Sequence, residues 1–157
     1  MKTVAGKPGF VINPRAVPGE VPTLLSLHIK RGGESDVEID FSLAKFGVSE
    51  DGKQFYISAR PEGNDRDLLT IRGLSLEAGV TYPIGGGDEE VHVSLDVQGI
   101  TEYATDPVGT FTVHDVFKYP DGNTYLLGYF AFLMTETVGE KRDILVNCYT
   151  LQILEND

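Results

Sequence analysis

The chain has no tryptophan, one cysteine and two methionines in 157 residues. With Cys148 alone no intrachain disulfide can form, so the fold must stand on its apolar core. Val146, Asn147 and Tyr149 around it read as strand, and Cys148 reads as a small core residue. A nucleophilic thiol needs a base or a helix N-terminus beside it, and the local sequence supplies neither. No stretch approaches the roughly 20 apolar residues that span a bilayer. Residues 1–9 contain no apolar segment, so no intact signal peptide is read and a cytoplasmic location is expected; a precursor trimmed of its export signal would read the same way.

Cations are scarce where they would matter for nucleic acid. The formal charge is −11, and it is unevenly placed. Met1 to Arg72 carries ten Lys/Arg against ten Asp/Glu, whereas Gly73 to Asp157 carries three against fourteen. Such a surface repels phosphate backbones and anionic headgroups. It predicts no nucleic-acid partner, and it accommodates a basic protein, a cation or a neutral sugar more easily. Reactive motifs are missing too. There is no G-x-S-x-G elbow, no H-E-x-x-H pair and no N-x-S/T sequon. Gly85-Gly86-Gly87 is followed by Asp88, Glu89 and Glu90, which would repel a phosphate. The sequence assigns no catalytic residue, no cofactor and no metal.

What the chain does have is turn residues and two-residue periodicity. Eighteen Gly and eight Pro punctuate a sequence that is 41% apolar, which suits short strands in one packed domain. Residues 1–22 read as a loosely structured Pro/Gly-rich leading segment. Leu25, Leu27 and Ile29 then alternate with Ser26, His28 and Lys30, and Val37, Ile39, Phe41 and Leu43 alternate with Glu38, Asp40 and Ser42. Because successive side chains of a strand point to opposite faces, these two runs form a hairpin with one core face each. Asp51-Gly52 predicts a type I′ turn into a strand over Phe55–Arg60. Further strands are expected over Leu68–Arg72, Val91–Val97, Gly109–Phe117, Tyr125–Met134 and Ile144–Ile153, with a short edge strand at Val80–Ile84 because Pro83 cannot donate to a ladder. Asp121-Gly122-Asn123 and Gly139 to Arg142 are read as turns. No segment has sustained helical spacing. The expectation is therefore a single all-β domain over residues 1–157: an antiparallel β-sandwich, alternatively a flattened barrel, of about nine strands.

Candidate sites follow from side chains that break the pattern or sit on polar faces. His114-Asp115 interrupts the alternation set by Phe111 and Val113, as a β-bulge does, and bulges re-aim side chains. Tyr56, Tyr125 and Tyr129, with Phe117 and Tyr119, put aromatic surface on or near the polar faces, where rings can stack on sugars or anchor a partner. Tyr125 to Met134 is apolar on both faces, which fits a central strand covered on both sides or one whose outer face meets a partner. Three weaker constellations were weighed. His28 and His92 with Asp96 would make a zinc site if their strands were adjacent. Asp40 and Asp96 would serve glycoside hydrolysis if the fold paired them. The acidic turns at Glu50-Asp51, Asp88 to Glu90 and Asp121 to Asn123 offer oxygens for calcium without an EF-hand pattern.

Gly79 to Ile84, Gly109 to Val113 and Gly128 to Phe132 resemble the strand grammar of bacterial β-sandwich proteins, many of them exported. The likeness lies in hydrophobic and turn residues and implies a fold, not an activity. The leading functional expectation is a non-enzymatic binding or protein-interaction module, holding a protein partner or a second copy through the strand around Tyr125–Met134. The alternatives are a barrel-like protein that binds a small ligand inside, and a carbohydrate-active enzyme using Asp and Glu.

Overall fold

The computed structural model describes residues 22–118 and 123–155, and every structural statement below concerns these. The leading segment up to residue 21, Tyr119 and the Asp121-Gly122 part of the predicted turn lie outside them. Ten strands form and no helix does: β1 (Leu24–Arg31), β2 (Val37–Asp40), β3 (Leu43–Val48), β4 (Gln54–Arg60), β5 (Leu68–Leu74), β6 (Thr81–Ile84), β7 (His92–Asp96), β8 (Val108–Lys118), β9 (Thr124–Thr135) and β10 (Asp143–Glu155). They make two antiparallel sheets, one of six strands in the order β2-β1-β10-β9-β8-β6 and one of four in the order β3-β4-β5-β7. Neither sheet closes on itself, so the sandwich expectation holds and the barrel alternative does not.

The tenth strand is β3. Its sequence, Leu-Ala-Lys-Phe-Gly-Val, has weak alternation and a central glycine, which hid it. It arises because the chain does not turn after β2 but changes sheets. Phe41 is buried at the corner and its amide still donates to the Leu25 carbonyl at 2.7 Å, whereas Leu43 onward pairs with β4. Strands that switch sheets make the corners of such sandwiches. The switch corrects the core assignment for this run: Phe41 is inside as expected, but Val37 and Leu43 are exposed and Phe46 takes the inward place on β3. The β3–β4 hairpin forms, although not through a type I′ turn. The Gly52 amide donates to the Ser49 carbonyl, and Gly52 has φ 71° while Asp51 has no positive φ. Asp51 accepts from the Ser49 hydroxyl at 2.6 Å and the Lys53 amide at 3.0 Å, which stabilises an ordinary turn of the Asx kind.

Between the sheets the inward residues interdigitate. Leu25, Leu27 and Ile29 of β1 face Phe46, Ile57 and Ile71 of the smaller sheet's strands in one continuous cluster. Rings tie the layers together: Phe55 of β4 lies 6.0 Å from Phe111 of β8, Phe111 lies 6.1 Å from Phe130 of β9, and Phe130 lies 6.1 Å from Phe132. Cys148 belongs to this core, buried and donating to the Thr150 carbonyl at 3.4 Å, with its thiol pushed up to about 12 by desolvation.

One rim of the sandwich is tied by charge. Arg142 donates to Glu34 at 2.6 Å and to Glu136 at 2.8 Å, and Arg31 donates to the same Glu34 at 3.0 Å and to the Gly99 carbonyl at 2.8 Å. The β1–β2 turn, the β9–β10 turn and the loop after β7 thus share one network.

Candidate functional site: the outer face of the six-stranded sheet

β9 is the fourth strand of the larger sheet. Residues with even numbers from Leu126 to Met134 point into the core, and Tyr129, Ala131 and Leu133 point outward. Two irregularities flank it at one height. On β8, the pairs Val113↔Gly128 and Asp115↔Leu127 leave His114 as an extra residue. On β10, the pairs Cys148↔Phe130 and Leu151↔Gly128 leave Tyr149-Thr150 facing the single residue Tyr129. Both rings, His114 and Tyr149, keep the outward parity of the residues before their bulges, and the parity changes after them. His114 comes to rest 5.1 Å from Tyr129, and Tyr149 comes to rest 4.8 Å from His28 on β1. Four rings from four neighbouring strands, His28, Tyr149, Tyr129 and His114, therefore stand side by side on the outer face. Bulges are over-represented beside functional sites.

Farther along the same face the surface turns aliphatic. Leu133 pairs with Val108 on one side and Leu145 on the other. Exposure is 65% for Val108, 43% for Leu133, 42% for Leu145, 41% for Tyr129 and 65% for Tyr149. Carboxylates keep to the margin: Glu38 and Asp40 on the edge strand β2, and Asp143 at the end of β10, where it accepts from the Thr135 hydroxyl at 3.2 Å. An apolar, aromatic centre with charge at the rim is the composition of a protein interface. The outer face of the four-stranded sheet differs. Ser58, Thr70 and Ser94 stand at its middle, with Lys45, Arg60 and Arg72 around them, as expected of a face kept in water.

The five residues expected from sequence separate. His114 sits in a bulge as read, exposed, and together with Tyr129 belongs to the ring row. Tyr56 is exposed but on the other sheet. Tyr125 was expected to present its ring and does not: it has no exposed surface, and its hydroxyl donates to Gln152 Oε1 at 3.0 Å while Gln152 Nε2 donates to the Pro22 carbonyl at 2.9 Å. The Pro22 carbonyl, just ahead of β1, thus meets Gln152 at this end of the face. Asp115 is likewise fully buried; its Oδ1 accepts from the Val116 amide at 3.0 Å.

Tyr149, Val108 and Leu145 lie outside the residues the sequence points to; it offers His28 only as a candidate zinc ligand and Leu133 only within the Tyr125–Met134 strand. Tyr149 was legible, since it alternates with Val146 and Cys148 as an outward residue, but the second bulge that sets it against Tyr129 leaves no mark in composition. The weaker constellations come apart. His28 lies on the outer face of the six-stranded sheet, and His92, paired with Arg72, on that of the four-stranded sheet. Asp40 and Asp96 are divided in the same way, about a sandwich thickness apart. Asp51 is engaged in its own turn, and Glu90 accepts from the Gly87 amide at 2.6 Å.

The fold and this face define a two-sheet antiparallel sandwich that presents a bulge-flanked aromatic surface on its larger sheet. No protein-family model, no curated protein and no solved structure matches the chain. Among the described residues, no helix is long and apolar enough to cross a membrane.

Proposed function

We propose that the chain is a non-enzymatic interaction module whose six-stranded sheet holds a protein partner, in the simplest case a second copy of itself, across the outer face of β8, β9 and β10. One observation carries the reading: the exposed patch from Val108 and Leu133, across Ala131 with its neighbours Thr110 and Asn147, to Tyr129, Tyr149 and His28 holds an aliphatic cluster and an aromatic row and is charged only at its rim. Exposed patches of that kind on a sandwich mark contact surfaces. Tyrosines bury large area with little loss of conformational freedom, which makes Tyr129 and Tyr149 the anchors. A cytoplasmic location belongs to the same proposal, as does the exclusion of nucleic acid by the chain's negative charge.

Sedimentation equilibrium over a micromolar to millimolar series tests the self-association form. The wild-type chain should pass from one to two chain masses, and Leu133→Lys should weaken the association at least tenfold, because an unpaired ammonium is left in the contact. A chain that stays at one mass throughout, or a Leu133→Lys variant that associates as the wild type does, contradicts it.

A further inference from the structure

The smaller sheet carries a second, chemically opposite surface. Its outward residues form cross-strand rows. The middle row runs Lys45, Ser58, Thr70, Ser94 across β3, β4, β5 and β7. On one side of it stand Arg60 and Leu68, on the other the paired Tyr56 and Arg72. Tyr56 and Arg60 are four residues apart on β4, about 13 Å along the strand, so the hydroxyl row forms the floor of a trough one extended chain wide. An open hollow of about 520 Å³ lies over Leu43, Lys45, Ser58, Arg60 and Leu68.

Three features of this trough point to a ligand class. First, in a chain of net charge −11 it gathers Lys45, Arg60 and Arg72, and none of them has a carboxylate within ion-pairing distance among the described residues. Asp65 lies by Arg60, Asp96 ends the Arg60–Leu68 row on the edge strand β7, and Asp88 and Glu90 line a hollow together with Arg72. Second, Tyr56 does not project into water. Its ring leans over β3 into the space a Cβ on Gly47 would fill, yet 53% of the residue stays exposed. Glycine at that position lets the ring settle on the sheet and present itself as a platform. Third, the floor consists of hydroxyl groups, which donate and accept hydrogen bonds equally well.

We propose that the outer face of the four-stranded sheet binds an acidic polysaccharide laid across the strands. A sugar ring stacks on Tyr56, uronate carboxylates meet Lys45, Arg60 and Arg72, and ring hydroxyls meet Ser58, Thr70 and Ser94. Charge alone would suit an acidic peptide equally; the settled tyrosine and the hydroxyl floor favour the sugar. This surface lies on the opposite side of the sandwich from the proposed protein contact, and its test is independent of that contact.

The probe is oligogalacturonate, titrated calorimetrically into the full chain at low salt, with its fully methyl-esterified form and poly-glutamate as comparisons. Binding of oligogalacturonate should weaken as salt screens the cations. Arg60→Gln and Arg72→Gln should each weaken it roughly two- to fivefold, and Tyr56→Ala roughly two- to tenfold, with both exposed arginine substitutions keeping the wild-type melting curve. The methyl ester should bind far more weakly. Absence of oligogalacturonate binding, indifference to all three substitutions, or equal binding of poly-glutamate with no effect of Tyr56→Ala would each overturn the proposal.

Discussion

Tyr129 and Phe130 are neighbours on β9 with opposite surroundings, and replacing each by alanine separates the two faces of the sheet. Phe130 is 1% exposed and lies between Phe111 and Phe132 at 6.1 Å from each. Its removal loses the transfer energy of the ring and leaves a cavity that the flanking rings cannot fill without leaving their rotamers, a cost of about 3–5 kcal/mol. Against a total stability on the order of 5–15 kcal/mol, that is a large share. Tyr129 keeps much of its ring in water and packs mainly on His114, so its loss costs about 0.5–1.5 kcal/mol. With a urea dependence of roughly 2 kcal/mol per molar, the unfolding midpoint should fall by about 1.5–2.5 M for Phe130→Ala and by under about 0.8 M for Tyr129→Ala. The measurement belongs at low micromolar protein, where association does not add to stability. Equal shifts, or a larger one for Tyr129→Ala, would mean that β9 is slipped by one residue and would overturn every face assignment made from it.

Other parts of the structure predict further outcomes. Hydrogen bonding to Arg31 and Arg142 holds the Glu34 and Glu136 carboxyls, respectively, below their ordinary value near 4.5; their contribution is complete above that value and is lost as pH falls beneath it, so the urea midpoint should drop between pH 6 and pH 3, and less steeply in Arg142→Met, with parallel profiles counting against the network. Gly128 sits beside the β8 bulge, where a Cβ would run into the Thr112 carbonyl oxygen; Gly128→Ala should cost about 1–3 kcal/mol in the same assay, while Gly86→Ala, with open space around it, should be near neutral. The raised pKa and burial of Cys148 predict that a thiol reagent labels the native chain at pH 8 orders of magnitude more slowly than the urea-unfolded chain; equal rates would place Cys148 at the surface.

Most of the architecture was legible because alternation is a direct readout of a half-buried strand. Leu25 to Ile29 and Phe111 to Val113 face inward as their spacing requires, the edge position of Pro83 follows from its missing donor, and the His114-Asp115 bulge announces itself by breaking the rhythm. β3 was not legible, because a strand that changes sheets after Phe41 reverses its inward parity and Gly47 removes a side chain from the pattern. The site was half legible. Tyr129 and His114 could be named from the pattern, but their union with Tyr149 and His28 depends on strand order and on a second bulge at Tyr149-Thr150, which are set by pairings between residues far apart in the chain. Tyr125 shows the converse: its outward parity is right, yet its ring is fully buried, with its hydroxyl donating to Gln152.

The contact surface itself is tested most directly by pairs of spin labels on associated chains, one set at Lys30 on the margin of the six-stranded face and one at Thr70 in the middle of the four-stranded face, with the unreactive Cys148 left in place. Two six-stranded faces packed about 10 Å apart should bring the Lys30 labels within measurable dipolar range and leave the Thr70 labels, on the far sides of both sandwiches, much farther apart. A short distance between the Thr70 labels with none between the Lys30 labels would show that the chains meet through the other sheet.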